Sequence, residues 1–346
     1  MTKNIKIDKR YTIGVNQPCF IIAEIGSNHD NSYSRAIKLI DEAILSGADA
    51  VKFQIFSAKN HYSKFTPGFK YLKKKNTYNL IKNLEIDRRW VKKLKTYCDK
   101  KKIIFFASPC DLDAIKILKN LNTKIYKVAS FDITDLDLIK NIAKTQKPII
   151  LSTGMCDETD IRDAINVCKK QKNKKIILLQ CTSLYPAPKK IANLHSIQEM
   201  KKKFKLITGY SDHTIDNDAA LISVCLGSKV LEKHFTLSKK LKGPDHKFAS
   251  EPVEFKNMVS KIRLYEKMMG DGIKNGPNKL ELEMYKKGRR SIHVKRNIKK
   301  GEILKSKDII FKRPGLGLKP KEIKKILGKK IKKDILKDKW ITKDMI

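Results

Sequence analysis

The feature that most constrains this chain is a repeat. Short runs rich in β-branched residues recur at 20–25, 50–54, 103–107, 125–129, 149–152, 176–181, 206–209 and 230–232. Between most of them fall segments with helical spacing of apolar residues, at 34–46, 111–121, 135–144, 158–169 and 217–226, and a further one closes the series at 252–269. Strands separated by helices cannot pair as hairpins, so they cross over and lie parallel. Eight such strands with a closing helix predict a (β/α)8 (TIM) barrel rather than an open doubly wound sheet. No GxGxxG follows the first run, which removes the usual support for a dinucleotide fold. The long insertion at 57–85, with Pro67-Gly68, reads as an elaborated loop over the barrel mouth.

After Gly270 the texture changes. The stretch DGIKNGPNKLELEMYKKG reads as a connector, and from Arg289 short β runs are broken by turn signals at Lys300-Gly301, Pro314-Gly315 and Gly317. The expected organisation is a barrel at 1–270, a linker at 271–288 and a small β-rich module at 289–346. A module that small is marginal alone and is expected to lean on the barrel or on another subunit.

Composition narrows the function classes. Hydrophobic residues make up 41% of the 346, enough for a core. The amino terminus MTKNIKIDKR has no apolar leader, and no apolar run is long enough to span a bilayer, so a cytoplasmic protein with no membrane partner is expected. Seven cysteines without a CxxC pair fit a reducing compartment. The formal charge of +40 invites a nucleic-acid reading, but only ten of the 76 basic residues are arginine, and the lysines are dispersed along helical segments. They read as solvated faces rather than a nucleic-acid surface, although a positive field still draws in anionic substrates.

Barrel active sites collect residues from the carboxyl ends of the strands. Here those ends carry Glu24, Lys52 with Gln54, Ser108, Lys127 with Ser130, Ser152 with Thr153, Thr182 with Ser183, Ser211 with Asp212 and His213, and Glu232 with His234. Lys52 and Lys127 sit inside apolar runs, where an ammonium is costly unless an anion compensates it. They could instead snorkel outward or form a Schiff base. With the serines around them they read best as a cradle for a small polyanion carrying phosphate and carboxylate. His213 and His234 follow neighbouring strands and could share a divalent ion while leaving positions open for water and substrate. Glu24, Glu232, Asp132 and Asp245 could move a proton, orient hydroxyls or partner the lysines. Cys181 has no base specified for it, which argues against a thiol nucleophile.

Through IIAEIGSNHD, GADAVKFQ, YKVAS, KPIILSTGM, QCTSLYPAP, GYSDHT, LEKHFT, KGPDHKFASEP and VKRNIKKGEIL to FKRPGLGL, the chain resembles the sialic acid synthase family over nearly its whole length. The resemblance implies condensation of phosphoenolpyruvate with an open-chain N-acylated hexosamine of the N-acetylmannosamine type, giving a nine-carbon 2-keto acid and phosphate. It implies that Lys52, Ser108, Lys127, Ser130, Ser152, Ser183 and Ser211 hold phosphoenolpyruvate, and that His213 and His234 bind a divalent metal, Mn2+ with Mg2+ or Co2+ as alternatives. Gln54, Tyr185, Asp245 and Arg313 would face the sugar, and Glu24 and Asp132 would stabilise charge or manage a proton. The C-terminal module resembles an antifreeze-like (SAF) domain, and the family arrangement implies a domain-swapped homodimer in which Arg313 enters a partner's barrel. Phe131-Asp132 stands where many members carry Gly-Glu, and FFASPC replaces a more usual Ser-Thr-Pro, as in the pseudaminic branch. GPDHKFASEP favours the sialic and legionaminic branches, so a 2,4-diacetamido-trideoxyhexose is the alternative substrate. The rivals are a Schiff-base pyruvate aldolase using Lys127 or Lys52, and a non-catalytic binding protein.

Overall fold

The computed structural model describes residues 4–68 and 76–346; positions 69–75 of the expected mouth loop and the first three residues lie outside the described residues. The chain forms two compact units, Met1–Gly270 and Asp271–Ile346.

The first unit is built on eight strands: β1 (Phe20–Gly26), β2 (Ala50–Ile55), β3 (Ile104–Pro109), β4 (Tyr126–Val128), β5 (Ile149–Ser152), β6 (Ile176–Cys181), β7 (Ile207–Asp212) and β8 (Val230–His234). They are hydrogen-bonded in the order β3-β2-β1-β8-β7-β6-β5-β4, with every neighbouring pair parallel. The ends of that series, β3 and β4, lie side by side, so the sheet curls into a nearly closed barrel. Strands β3, β7 and β8 run on past the apolar runs that announced them, into Ser108-Pro109, Ser211-Asp212 and Lys233-His234. The reason is chemical: at that end the barrel interior is lined by polar groups, so the hydrophobic pattern stops before the ladder does.

Alternation along the strands divides the residues cleanly. Phe20, Ile22, Ala50, Ile104, Phe106, Ile150, Ile177, Leu179, Ile207 and Val230 fill the lower interior. They are joined from below by Ile5, Ile7 and Ile13 of a two-stranded antiparallel ribbon, Ile5–Lys6 with Thr12–Ile13. The opposite parity, including Ile21, Ala23, Val51, Phe53, Phe105, Leu151, Leu178 and Leu231, packs outward against the helices. Gly209 lets β7 and β8 approach closely, because a Cβ there would overlap Val230 O of the adjacent strand.

The helices begin where side-chain caps allow. Asp111, Asp135 and Asp157 each accept a backbone N–H of the first turn, and Asp157 forms a reciprocal box with Asp160. Two further helices, Arg88–Lys101 and Ser196–Phe204, are crowded with charge, and each buries a narrow stripe, Val91, Leu94 and Cys98 in one and Ile197 and Met200 in the other. None of the described helices is long and apolar enough to cross a membrane.

The second unit opens with a helical segment, Leu282–Gly288, in the stretch expected to be a connector. Gly315 N–H donates to Lys286 O, and the Arg289 guanidinium lies 4.6 Å from the centre of the Tyr285 ring. Strands Ser291–Val294 and Ile309–Lys312 pair antiparallel, and isolated bridges bring in Trp340, Ile335 and Lys330. Ile292, Val294, Ile298, Leu304, Ile309, Ile335 and Ile341 form its own small core.

Candidate active site

The inward parity that fills the barrel base with aliphatic groups continues upward as Glu24, Lys52, Gln54, Ser108, Lys127, Ser152, Ser211, Glu232 and His234. Nearly all are buried. Lys52 Nζ lies 2.9 Å from Glu24 Oε2 and 3.6 Å from Glu232 Oε1, and Lys127 Nζ is 3.5 Å from that same Glu232 oxygen. Gln54 Nε2 donates to Glu24 Oε1 at 2.8 Å, Ser211 Oγ to Glu232 Oε1 at 3.1 Å, and Lys52 Nζ to Ser108 Oγ at 3.4 Å. Both lysines therefore face the barrel axis and each other's carboxylates, so neither snorkels outward.

Two ammonium groups and two carboxylates share one dry volume, and their titration separates them. Burial pushes the Glu24 carboxyl up to about 7 despite the Lys52 ammonium beside it. Glu232 behaves oppositely: burial works against its charge, but Lys127 and Lys52 outweigh it and hold the group below the ordinary range. Burial also opposes the Lys52 charge, yet Glu232 and Glu24 keep its pKa raised, whereas at Lys127 burial wins and the pKa falls. Glu24 is thus the group in the throat that can exchange a proton near neutral pH.

Beside the throat, three strand ends converge on Gly154. Its N–H donates to Ser130 Oγ at 3.0 Å, and a Cβ at this position would collide with Ser183 Oγ and lie 2.8 Å from Ser130 Oγ. The glycine is what lets the two hydroxyls approach. Ser152 Oγ, Glu232 Oε2 and His234 Nδ1 are buried without a hydrogen-bond partner among the described residues. Groups of this kind cost free energy in a folded protein and mark a surface shaped for a polar ligand.

His213 and His234 stand at the mouth, ring centres 5.4 Å apart, with Tyr185 packed 4.4 Å from His213 and Phe248 5.0 Å from His234. His213 Nδ1 meets Thr182 O at 2.9 Å and Cys181 Sγ at 3.8 Å. Burial penalises charge on both partners of that contact, but each outweighs it for the other. The Cys181 thiol is drawn down to about 7 and the His213 imidazole is raised. Burial, reinforced by His213, holds His234 well below its ordinary value, so this imidazole is neutral and its ring nitrogens can donate lone pairs. Asp245 Oδ2 lies 3.7 Å from His234 Nδ1, and burial lifts its carboxyl to about 6. Two imidazoles, one with an unpartnered buried Nδ1, and a carboxylate at the rim are a donor set that suits a divalent cation.

Gln54, Ser108, Tyr185, His234 and Asp245 line one cleft together with Asp132. Asp132 does not turn to the lysines; its carboxylate lies 3.6 Å from His61 Nε2 and 3.8 Å from Cys110 Sγ, and burial raises its pKa. Neither His61 nor Cys110 was singled out from the sequence. His61 lies in the insertion, and Cys110 is one of seven cysteines that form no CxxC pair. Arg313 is exposed in the second unit. Three residues expected at the rim face elsewhere, because they have the wrong parity or reach a loop. Asp212 is bound by Lys233 Nζ at 2.6 Å, Thr153 Oγ1 donates to Leu179 O, and Thr182 Oγ1 donates to Ile191 O.

The NeuB family model matches residues 39–274 and that of the SAF domain matches residues 289–346. The chain belongs to the NeuB family. It is 44% identical over 342 residues to the uncharacterized protein MJ1065 of Methanocaldococcus jannaschii, covering 99% of this chain and 98% of that one. It is 42% identical over 328 residues to the N,N'-diacetyllegionaminic acid synthase of Campylobacter jejuni, covering 93% and 98%. Among solved structures, the N-acetylneuraminic acid synthetase of Leptospira borgpetersenii superposes with a TM-score of 0.74 at 34% identity, covering 82% of this chain and 95% of that one.

Proposed function

We propose that this protein is a nonulosonic acid synthase that joins phosphoenolpyruvate to the aldehyde of an open-chain N-acylated amino sugar, releasing phosphate and a nine-carbon 2-keto acid. The observation that carries this reading is the single mouth in which Lys52, Lys127 and the hydroxyls of Ser108, Ser130, Ser152, Ser183 and Ser211 stand below the paired imidazoles of His213 and His234. The lysines and serines bind carboxylate and phosphate, and their fixed positions hold the enol face toward the sugar. Gln54, Tyr185 and Asp245 orient the sugar above it.

A divalent ion such as Mn2+, with Mg2+ or Co2+ as alternatives, held by His213 and His234 near Asp245, would supply Lewis-acid polarisation of the aldehyde. The π pair of the enol forms the new bond from C3 of phosphoenolpyruvate to the aldehyde carbon, and the former carbonyl oxygen takes a proton. Water adds at C2 and gives its proton to the Glu24 carboxylate, whose pKa near 7 matches that task. The bond from C2 to the bridging oxygen then breaks, phosphate leaves with that oxygen and the proton of the C2 hydroxyl, C2 becomes the ketone, and the proton held by Glu24 balances the one taken up by the former carbonyl oxygen.

For the sugar, the cleft wall of Phe56, Leu80, Ile81, Leu84 and Phe131 is apolar. Methyl and acetamido groups fit such a wall better than hydroxymethyl and hydroxyl groups, which favours a 2,4-diacetamido-trideoxyhexose over N-acetylmannosamine. The resemblance to the legionaminic acid synthase points the same way. Arg313 is assigned to the sugar of a partner's barrel in a domain-swapped homodimer, and the seven free thiols suit a cytoplasmic enzyme.

The test is phosphate release from phosphoenolpyruvate with each sugar in the presence of Mn2+. Release that requires the sugar, with the diacetamido sugar giving the higher kcat/KM, supports the reading. Release without sugar, or a lysine trapped by borohydride in the presence of pyruvate, contradicts it.

A further inference from the structure

Across the mouth from the histidine pair, three side chains of different elements meet. His61 ends the helix Ala58–His61 after β2, Cys110 directly follows β3, and Asp132 closes the 3-10 turn Ser130–Asp132 after β4. Their ligand atoms all lie within 4.8 Å of one another, with His61 Nε2 at 3.6 Å and Cys110 Sγ at 3.8 Å from the two Asp132 oxygens. Zinc bonds of about 2.0–2.3 Å at tetrahedral angles separate neighbouring ligand atoms by roughly 3.3–3.7 Å. Two of the observed spacings, each to a different Asp132 oxygen, approach those edges, and the remaining ligand-atom separations stay within 4.8 Å, so side-chain rotations that bring the imidazole and the thiol toward one carboxylate oxygen would close the site.

The backbone holds these positions independently of any ligand. His61 N–H donates to Ser57 O at 2.9 Å, Cys110 N–H to Ile55 O at 3.1 Å and Asp132 N–H to Ala129 O at 3.0 Å. All three residues line the cleft that also contains Gln54, Tyr185 and Asp245, so a fourth coordination position would open toward its interior. The donor set is imidazole, thiol and carboxylate; burial and Asp132 hold the Cys110 thiol protonated, so a cation must displace its proton to bind the sulfur. With the sulfur bound, the set is softer than the oxygen-rich sets that Mg2+ prefers, and the count of three with one open position is that of a reactive rather than a structural site.

We propose that His61, Cys110 and Asp132 form a second metal site, for Zn2+ or a cation of similar softness, with its open position turned to the sugar end of the cleft. The site sits on the β2–β4 side of the barrel, whereas His213 and His234 follow β7 and β8. Its occupancy does not depend on the proposed reaction, because the test reads ion binding alone.

The experiment titrates the metal-free full-length protein with Co2+ and follows the thiolate-to-cobalt absorption in the near ultraviolet. The expected result is one equivalent of thiolate-bound cobalt, displaced by Zn2+. That signal is lost in Cys110→Ser, weakened by more than about tenfold in affinity in His61→Ala, and kept in the double variant His213→Ala/His234→Ala. His61 is partly exposed on a short helix, so its variant carries the test if Cys110→Ser fails to fold. An absence of the thiolate signal in the wild type overturns the proposal. So does a signal that survives Cys110→Ser and disappears in Cys181→Ser, which would place the ion beside His213.

Discussion

Replacing Lys52 with methionine tests whether the throat is an anion cradle held ready by its own carboxylates. The ammonium lies between Glu24 and Glu232, at 2.9 and 3.6 Å, with a side-chain exposure of 3%. Removing one partner of a buried ion pair destabilises by about 3–5 kcal/mol, because a charge is left without compensation. Here Glu24 can take up a proton near neutral pH, so the loss at pH 7 belongs at the lower end, about 3 kcal/mol, and grows as pH rises. Adding Glu24→Gln removes the orphaned charge and should return most of that stability, since replacing both members of a buried pair is close to neutral. Ligand binding should not return. A hydrogen bond to a charged group contributes about 1.5–3 kcal/mol, so both variants should bind phosphoenolpyruvate roughly 10- to 150-fold more weakly. Urea unfolding gives the first quantity and calorimetric titration the second. A single variant as stable as wild type, a double variant no better than the single, or wild-type affinity in either would refute the reasoning.

Three further outcomes are measurable, two from the geometry and one from the proposed homodimer. Gly154→Ala should weaken phosphoenolpyruvate binding sharply while leaving the melting temperature near wild type, because the new Cβ displaces Ser130 and Ser183 oxygens and not the core; isothermal titration and a thermal melt check both. Glu24 has its folded pKa, about 7, above the ordinary 4.5, so its contribution to stability is fully present below about 4.5 and is lost as pH rises through 7. In unfolding experiments without ligand, Glu24→Gln should therefore gain on wild type across that interval, and a pH-independent difference would count against the shift. Co-expressed Arg313→Ala and Lys52→Met chains, each inactive alone, should recover about a quarter of wild-type activity if the module serves a partner's barrel, and none if it serves its own.

The eight strands were legible because a parallel barrel buries both faces of each strand, which leaves continuous apolar runs. Their upper ends were read short at Ser108, Ser211 and His234, where the interior turns polar. The inward set from Glu24 to His234 was visible as polar groups at strand ends, but parity was needed to separate Ser211, which faces Glu232, from Asp212, which is held outside by Lys233. The basal ribbon escaped notice because two-residue strands carry no periodicity. His61 and Cys110 escaped because nothing in their local sequence says that the insertion folds back onto β3 and β4; only the tertiary path brings them to Asp132.

Bond-specific labelling tests the central claim most directly. With phosphoenolpyruvate carrying heavy oxygen in the bridge between C2 and phosphorus, the account predicts that phosphate forms only when the amino sugar is present and that it retains the label, because water adds at carbon and the C2–O bond breaks. Unlabelled phosphate, or phosphate released without sugar, would contradict it.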